Sequence, residues 1–420
     1  MHRTSPKVDV GSASSSVLSV SKLRVGQEAY HLSGVAQSLD AYYTGSGEAA
    51  GVWVGGSAAR LGLQGEVDPD DLRAVLAGLA PGTGGLTPNG ETQQPSARRV
   101  PGFDLTFKAP KSASVLYAVS DDPRVQGAVI DAGEAAMRGA VGWMEEHTVR
   151  VRRGSNNRAF LAAHPDLPAA REVTTNGVIA AGFRHRTSRA GDPLLHWHVL
   201  VANLAQGVDG RWSSVVHPNL YRHAKAAGEV FQAVFRAELS ASLGVEWRPG
   251  RHVPEIAGIP QALIDGFSKR SHQIEDWLAA TGTPDTPEGR QQAVLATRRR
   301  KPEVEHGRFD DDWKTEAIAA GWGPDAAEAL VAWYAGRQGP GEHEVPWRAA
   351  DVVFDEDGAP MHVERVVDAE EWVAGLLRTL TAADTTFSLS DLHEAIAASQ
   401  GAGATVETIE RIAHTVLASP

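Results

Sequence analysis

The 420-residue sequence contains no cysteine. That excludes disulfides, thiolate zinc sites and a cysteine nucleophile, and it suits a reducing compartment. No run of about 18 apolar residues occurs, so no membrane-spanning helix is expected. The phosphate-cradling pattern Gly-x4-Gly-Lys-[Ser/Thr] is missing, so this stretch carries no nucleotide-driven motor of that type. Aromatic residues make up only 6%, although 11 of them are tryptophan. Basic charge is short overall: the net charge of −12, taken alone, argues against a nucleic-acid partner.

The charge is unevenly spread. From Lys301 onward there are 8 Lys and Arg against 23 Asp and Glu, which leaves 32 against 29 in residues 1–300. A neutral to slightly basic module is therefore joined to an acidic tail, expected to lie away from any DNA-binding face. Basic clusters stand at Arg98-Arg99, Lys108–Lys111, Arg150–Arg158, Arg184–Arg189 and Arg298–Lys301. Met1–Ser16 is Ser-rich without the apolar stretch of a signal peptide, and reads as a disordered lead-in.

Hydrophobic periodicity predicts the elements. Val17–Leu23 alternates like a strand, and Arg24–Tyr43 has helical spacing. Pro69–Leu79 reads as a helix capped by Asp68, with an acidic first turn. Pro81–Pro101 reads as a mobile loop. Phe103–Phe107 is a predicted strand and Asp122–His147 a long amphipathic helix. Val149–Arg152, Val173–His185 and Leu194–Leu204 are strand-like, and Asn219–Leu243 and Pro260–Ala280 are helical. After Thr281 the composition turns to Pro, Gly and acidic runs. Leu376–Leu417 reads as a small separate helical piece.

His196-Trp197-His198 lies within a predicted strand, where side chains at i and i+2 share a face. At about 3.3 Å rise per residue their bases are about 7 Å apart, within reach of one ion. Leu195, Trp197 and Val199 face the opposite way, toward a core. His185 ends the preceding strand, and the intervening Ser188-Arg189-Ala190-Gly191-Asp192-Pro193 signals a turn. A hairpin folded about Gly191 brings His185 opposite His196 and His198. Three imidazoles with open positions are the donor set of a catalytic metal site rather than a structural one. The cluster does not by itself name a reaction.

Three of six tyrosines fall on one predicted helix: Tyr30, Tyr42 and Tyr43. Tyr30 and Tyr42 lie about 120° apart around a straight helix at about 100° per residue, so they do not share a face.

Several segments together resemble a known family. Arg184-His185-Arg186-Thr187-Ser188-Arg189 and Asp192-Pro193-Leu194-Leu195-His196-Trp197-His198 are similar to the metal hairpin of conjugative relaxases of the TrwC/TraI kind, members of the His-hydrophobic-His endonucleases. Gly102-Phe103-Asp104-Leu105-Thr106-Phe107-Lys108-Ala109-Pro110-Lys111-Ser112 is similar to that family's acidic strand-and-loop motif. Leu61–Asp68 and Gly266–Ser271 also match, so the likeness spans Val17–Arg300 in the family's order.

The resemblance implies an α/β fold: a two-layer sandwich with a central antiparallel sheet, helices packed on it, and a helical C-terminal extension. Both metal strands would be central, because their other faces are apolar. It implies a relaxase domain over 17–300 with a mobile cover near 260–300, an acidic linker or extension over 301–375, and a helical piece over 376–420 that resembles the start of a further domain. It implies site- and strand-specific DNA nicking at a plasmid transfer origin in the bacterial cytoplasm. The partners would be single-stranded DNA, a DNA hairpin and accessory transfer proteins.

Residue by residue, Tyr30 matches the leading tyrosine of the family's first pair and would be the nucleophile. The chain departs at His31, where the family often has a second tyrosine. Tyr42 or Tyr43 is the candidate for a second transfer. His185, His196 and His198 would hold a divalent cation, Mg2+ or Mn2+ before Zn2+. Asp104 would orient a metal-bound histidine or accept the tyrosine proton. Arg189 could hold a phosphate oxygen, and Lys108 and Lys111 could follow the DNA backbone. Two other readings use the same residues: a metal hydrolase with water as nucleophile, and a non-catalytic origin-binding module.

Overall fold

Alternate residues of segment 193–202 are apolar, and in the computed structural model that segment is the middle strand of a five-stranded antiparallel sheet. The structure describes residues 17–32, 50–92, 100–155, 157–164, 166, 168–297, 306–336, 348–354, 360–366, 369–382 and 386–418. The chain opens with β1 (Leu18–Lys22), helical turn α1 (28–32), β2 (Val52–Val54), α2 (Gly56–Arg60), α3 (Pro69–Ala77), β3 (Gly102–Lys108), α4 (Lys111–Val119) and α5 (Pro123–His147). Next come β4 (Arg150–Arg153), α6 (Arg158–Ala163), β5 (Arg171–Thr174), β6 (Ala180–Thr187), β7 (Pro193–Ala202), β8 (Ala205–Gln206), β9 (Trp212–Ser213), α7 (Pro218–Arg222) and α8 (Ala224–Leu243). Then follow β10 (Trp247–Arg248), β11 (Glu255–Ile256), α9 (Gln261–Gly266), α10 (Lys269–Thr281), α11 (Pro287–Ala296), α12 (His306–Ala319) and α13 (Pro324–Ala335). The last elements are β12 (Arg348–Phe354), β13 (Pro360–Val366), α14 (Ala369–Leu380), α15 (Leu389–Ser399) and α16 (Val406–Ala418).

The sheet runs β1-β3-β7-β6-β2, with every neighbouring pair antiparallel. Strands β6 and β7 are both internal, as their apolar faces require. Phe103, Leu105 and Phe107 of β3 and Leu195, Trp197 and Val199 of β7 are buried in the main core with residues of α5 and α8. Phe107 stacks on Phe231 of α8 at 5.1 Å, and Trp197 lies 5.8 Å from the same ring. Gly133 of α5 lets the Trp197 indole come down on the helix, since a Cβ there would sit 1.9 Å from the ring. Burying each such side chain contributes about 1.5–3 kcal/mol. On the opposite face a smaller core of Trp53, Leu72, Val75, Ala181, Phe183 and Leu200 lies under α2 and α3.

Local signals set the helix ends. Asp68 accepts from Asp70 N and Asp71 N, and Asp122 accepts from Arg124 N, with proline next in each case. Gly244, in the left-handed region, ends α8.

Some expected elements are broken. The strand expected over Val173–His185 is two, β5 and β6, because Gly177 takes φ +101°. Any Cβ at Gly177 would meet the Glu145 carboxylate, which accepts from Gly56 N and Val178 N at 2.8 and 2.7 Å. The helix over Asn219–Leu243 breaks at His223 and that over Pro260–Ala280 at Phe267-Ser268, where buried Phe267 turns into the core. Lys111, read as part of a loop, begins α4. Of the helix expected over Arg24–Tyr43, residues 28–32 are helical; Tyr42 and Tyr43 lie outside the described residues, as does the lead-in 1–16.

The segments after Lys301 are more integrated than their composition suggests. Trp313, Ala317, Trp322, Ala327 and Tyr334 of the α12–α13 region join the main core, and Tyr334 Oη donates to Ala257 O at 2.9 Å. Helix α15 packs on α8 through Leu392 and Ile396, and buried Arg236 donates to Gln400 O at 2.9 Å. An apolar stripe on a helix needs a partner surface, and α8 supplies it.

Candidate active site

The site is built on the sheet face opposite α5 and α8. His185 and His196 are cross-strand partners in the β6–β7 hairpin, and the ladder shifts register just past His185. The turn closes through Ser188 N–H to Asp192 O at 2.8 Å, with Gly191 at φ +83°. Ring centroids of His185, His196 and His198 are 5.3, 4.9 and 5.1 Å apart, a nearly equilateral triangle. One ring nitrogen from each lies within 4.8 Å of the other two. Residues two apart on one strand and a partner across the ladder thus converge as the spacing predicts.

Hydrogen bonds orient two of these rings. His198 Nδ1 faces both Asp104 oxygens, at 2.9 and 3.0 Å, and Thr106 Oγ1 at 3.2 Å. An Nδ1–H donating to the carboxylate leaves the Nε2 lone pair for a cation. His196 Nδ1 lies 2.9 Å from Leu194 O, which fixes the same tautomer there. Asp104 is buried, and Thr106 also donates to it at 3.3 Å. Thr106 went unnoticed in the sequence; its signal is the two-residue spacing from Asp104 on a strand that pairs with β7.

Tyr30 stands at the rim. Its ring centroid is 6.1 Å from that of His185, and the residue is 48% exposed. His31, marked in the sequence only as a departure from the family pattern, is buried among the rings of the histidine cluster. It lies 4.7 Å from His198 and 5.6 Å from His185.

The basic residues divide. Lys108 is the cross-strand partner of His196, so it shares the histidine face, and burial pushes its ammonium pKa down. Arg189 is exposed in the hairpin turn, and its charge reaches Arg270, whose pKa falls through burial first and this repulsion second. The Arg270 guanidinium itself donates to Thr297 O and Val294 O at 3.1 and 3.2 Å. Lys111, expected to follow the DNA backbone, points inward instead: Nζ donates to Pro193 O at 2.6 Å, and burial lowers its pKa to about 8. It holds the start of β7, because Pro193 leaves a carbonyl that needs a donor.

The acidic region also departs from expectation, because α12 lies against the hairpin turn. Trp313 Nε1 donates to Gly191 O at 2.7 Å, and Asp310 receives buried Arg186 at 2.8 and 3.0 Å. Lys269 at the start of α10 links Glu316 at 2.7 Å to the buried carboxylate of Asp192 at 3.4 Å. Asp310 of α12 therefore neutralises the hairpin cation Arg186, and Glu316 of α12 neutralises Lys269 of α10.

The geometry defines a sheet-borne site that offers three imidazoles to one cation, with a phenol beside them. The sequence model of the TrwC relaxase family matches residues 25–320, and the chain belongs to that family. It is 33% identical over 265 residues to the multifunctional conjugation protein TraI of Escherichia coli, an alignment covering 60% of this chain and 14% of that protein. The corresponding protein of Escherichia coli strain K12 is 32% identical over 265 residues, again with 60% and 14% covered. The chain thus spans a small part of the length of these relatives. Among solved structures, copper-bound conjugative relaxase TrwC in complex with oriT DNA has a TM-score of 0.61 at 30% identity, covering 73% of this chain and 99% of that one. TrwC complexed with a 27-mer DNA comprising the recognition hairpin and the cleavage site gives 0.59 at 29% identity, with 73% and 99% covered.

Proposed function

We propose that this chain cuts one DNA strand at a plasmid transfer origin by transesterification and remains joined to the 5′ end through Tyr30. The observation that carries this reading is the meeting of three imidazoles, Asp104 and a tyrosine at one end of one sheet face. A divalent cation held by His185, His196 and His198 would neutralise charge on the non-bridging oxygens of the scissile phosphate. Three imidazole donors suit Zn2+ or Cu2+ better than Mg2+ or Mn2+, although any of the four can be tested at this site.

Tyr30 supplies the attacking oxygen. Its bond to phosphorus forms, the bond from phosphorus to the 3′ oxygen breaks, and the 3′ oxygen leaves carrying a proton. One phosphodiester replaces another, so the same groups can rejoin the ends. A phenol has an ordinary pKa near about 10, so attack is favoured where positive charge stabilises the phenolate. Both Asp104 oxygens engage His198, which supports ring orientation rather than proton acceptance from Tyr30. Arg189 in the exposed hairpin turn, and Lys108 beside His196, would meet phosphates. The DNA named with one TrwC structure, a recognition hairpin and a cleavage site, supports a like substrate here, whose cleavage site we take to be single-stranded.

Tyr42 or Tyr43 remains our candidate for a second transfer, and accessory transfer proteins our candidate partners. No described helix is long and apolar enough to cross a membrane; we place the reaction in the bacterial cytoplasm. The test is a labelled single-stranded origin oligonucleotide incubated with the protein, with and without chelator. A metal-dependent covalent adduct is expected. A free 5′ phosphate with no adduct would instead favour the hydrolase reading, and DNA binding without cleavage the non-catalytic module.

A further inference from the structure

Tyr30 and His31 are neighbours on a helical turn, about 100° apart around its axis, so only one of them can point into the sheet. His31 does. Of residues 24–32 it alone is buried, at 2% exposure, while Tyr30 is 48% exposed. The His31 ring is wedged among Phe183, His185 and His198, with centroids 5.7, 5.6 and 4.7 Å away. Its edge meets the Tyr30 ring at 5.1 Å with planes at 83°. Within the turn Tyr30 N donates to Gln27 O at 3.2 Å, and Gln27 Oε1 accepts from Arg24 N at 3.0 Å. Leu32 is only partly buried against the smaller core.

A ring nitrogen of His31 can approach Asp104 and His198 as a set, but it forms no shared set with His185 and His196. That separates it from the triad and argues against a fourth ligand. We propose that His31 is a positioning residue: the buried peg that docks the first helix on the metal-site face and so holds Tyr30 beside His185. The inference rests on Tyr30 being the nucleophile. It explains how an exposed phenol can keep a reactive position, and why a residue other than tyrosine serves at 31. A flat ring of this size fills the gap between Phe183 and the two histidines.

The experiment reads Tyr30's position independently of its chemistry. Fluorotyrosine is placed at position 30 of the full chain, Mn2+ is bound, and paramagnetic broadening of the fluorine signal is measured; it falls steeply with distance. In the His31→Ala protein the broadening should drop severalfold. The rate of adduct formation at saturating oligonucleotide should fall at least about tenfold, since a displacement of about 1 Å can cost about 100-fold. Affinities for Mn2+ and for the oligonucleotide should stay within about twofold. His31→Phe, which keeps a ring in the gap, should restore most of both signals.

Unchanged broadening in His31→Ala overturns the proposal. So does a large loss of Mn2+ affinity, which would make His31 a ligand, and so does a His31→Phe protein as impaired as His31→Ala. Normal adduct formation by Tyr30→Phe would remove the nucleophile assignment instead, and the broadening comparison would still decide whether His31 positions residue 30.

Discussion

His185 and His196 face each other across the β6–β7 ladder with ring centroids 5.3 Å apart. Neither ring reaches that position through a long-range accident: the pairing follows from a five-residue turn and the period-2 geometry of strands. His198 adds the third corner, and Asp104 on the adjacent strand aligns it.

Replacing any one of His185, His196 and His198 by Ala should weaken Mn2+ or Zn2+ binding at least about tenfold and suppress adduct formation, with hairpin DNA binding nearly intact. Asp104→Asn, which removes the charge behind His198, should cost about 10–100-fold in metal affinity or activity. Calorimetric metal titration beside an adduct gel reads both. Metal should also raise the melting temperature of the wild-type protein but not of a protein with all three histidines changed to Ala.

Tyr30→Phe should abolish the adduct, and peptide mapping should find the wild-type DNA on Tyr30. The double change of Tyr42 and Tyr43 to Phe should leave the first adduct unaffected. An adduct that survives the first change and disappears with the second would move the nucleophile to the later pair.

DNA affinity should fall steeply with salt despite the net charge of −12, because phosphate neutralisation releases counterions. Arg189→Ala should lower the affinity and flatten the salt slope. A salt-independent affinity would contradict phosphate contacts.

Trp313 clasps the hairpin turn through its bond to Gly191 O and its stacking on Phe309 at 5.7 Å. Trp313→Ala should destabilise the fold by about 3–5 kcal/mol and weaken metal binding as the turn loosens. Trp313→Phe should recover most of the stability. Denaturant unfolding with and without metal distinguishes the two effects.

His393 of α15 is buried, and its Nδ1 accepts the Trp143 indole N–H at 3.0 Å. Burial chiefly, then the charge of His147 on α5, pushes its pKa down to about 4, against the pull of Glu410 and with the push of His414 on α16. The folded protein therefore binds the proton later than the unfolded chain. The stability tied to neutral His393 is whole above pH 6.5 and is lost as pH falls toward 4, by at most about 3.5 kcal/mol at about 1.4 kcal/mol per unit. His393→Gln keeps an acceptor without a titrating ring and should flatten that dependence in thermal melts between pH 4 and 7.

Particular residues show how far pattern reaches. The alternation around His196-Trp197-His198, the turn at Gly191 and the cap at Asp68 are local, and each appears in the structure as the sequence predicts. The split at Gly177 was not visible, because it depends on Glu145, 32 residues earlier, occupying the space a side chain would need. Lys111 read as a surface cation because nothing nearby in sequence marks Pro193 O as its partner.

The sequence by itself determined the histidine hairpin, the sheet's apolar and polar faces, and the order of motifs that marks the family, since all three depend on contacts within a few residues or on side-chain period. Only the tertiary structure decided that His31 is buried among the rings of the histidine cluster while Tyr30 stays at the rim, that acidic α12 closes on the hairpin, and that the last helices dock on α8. Each of those outcomes is a contest between distant segments for the same surface, and burial and charge neutralisation across space settle it where spacing along the chain cannot.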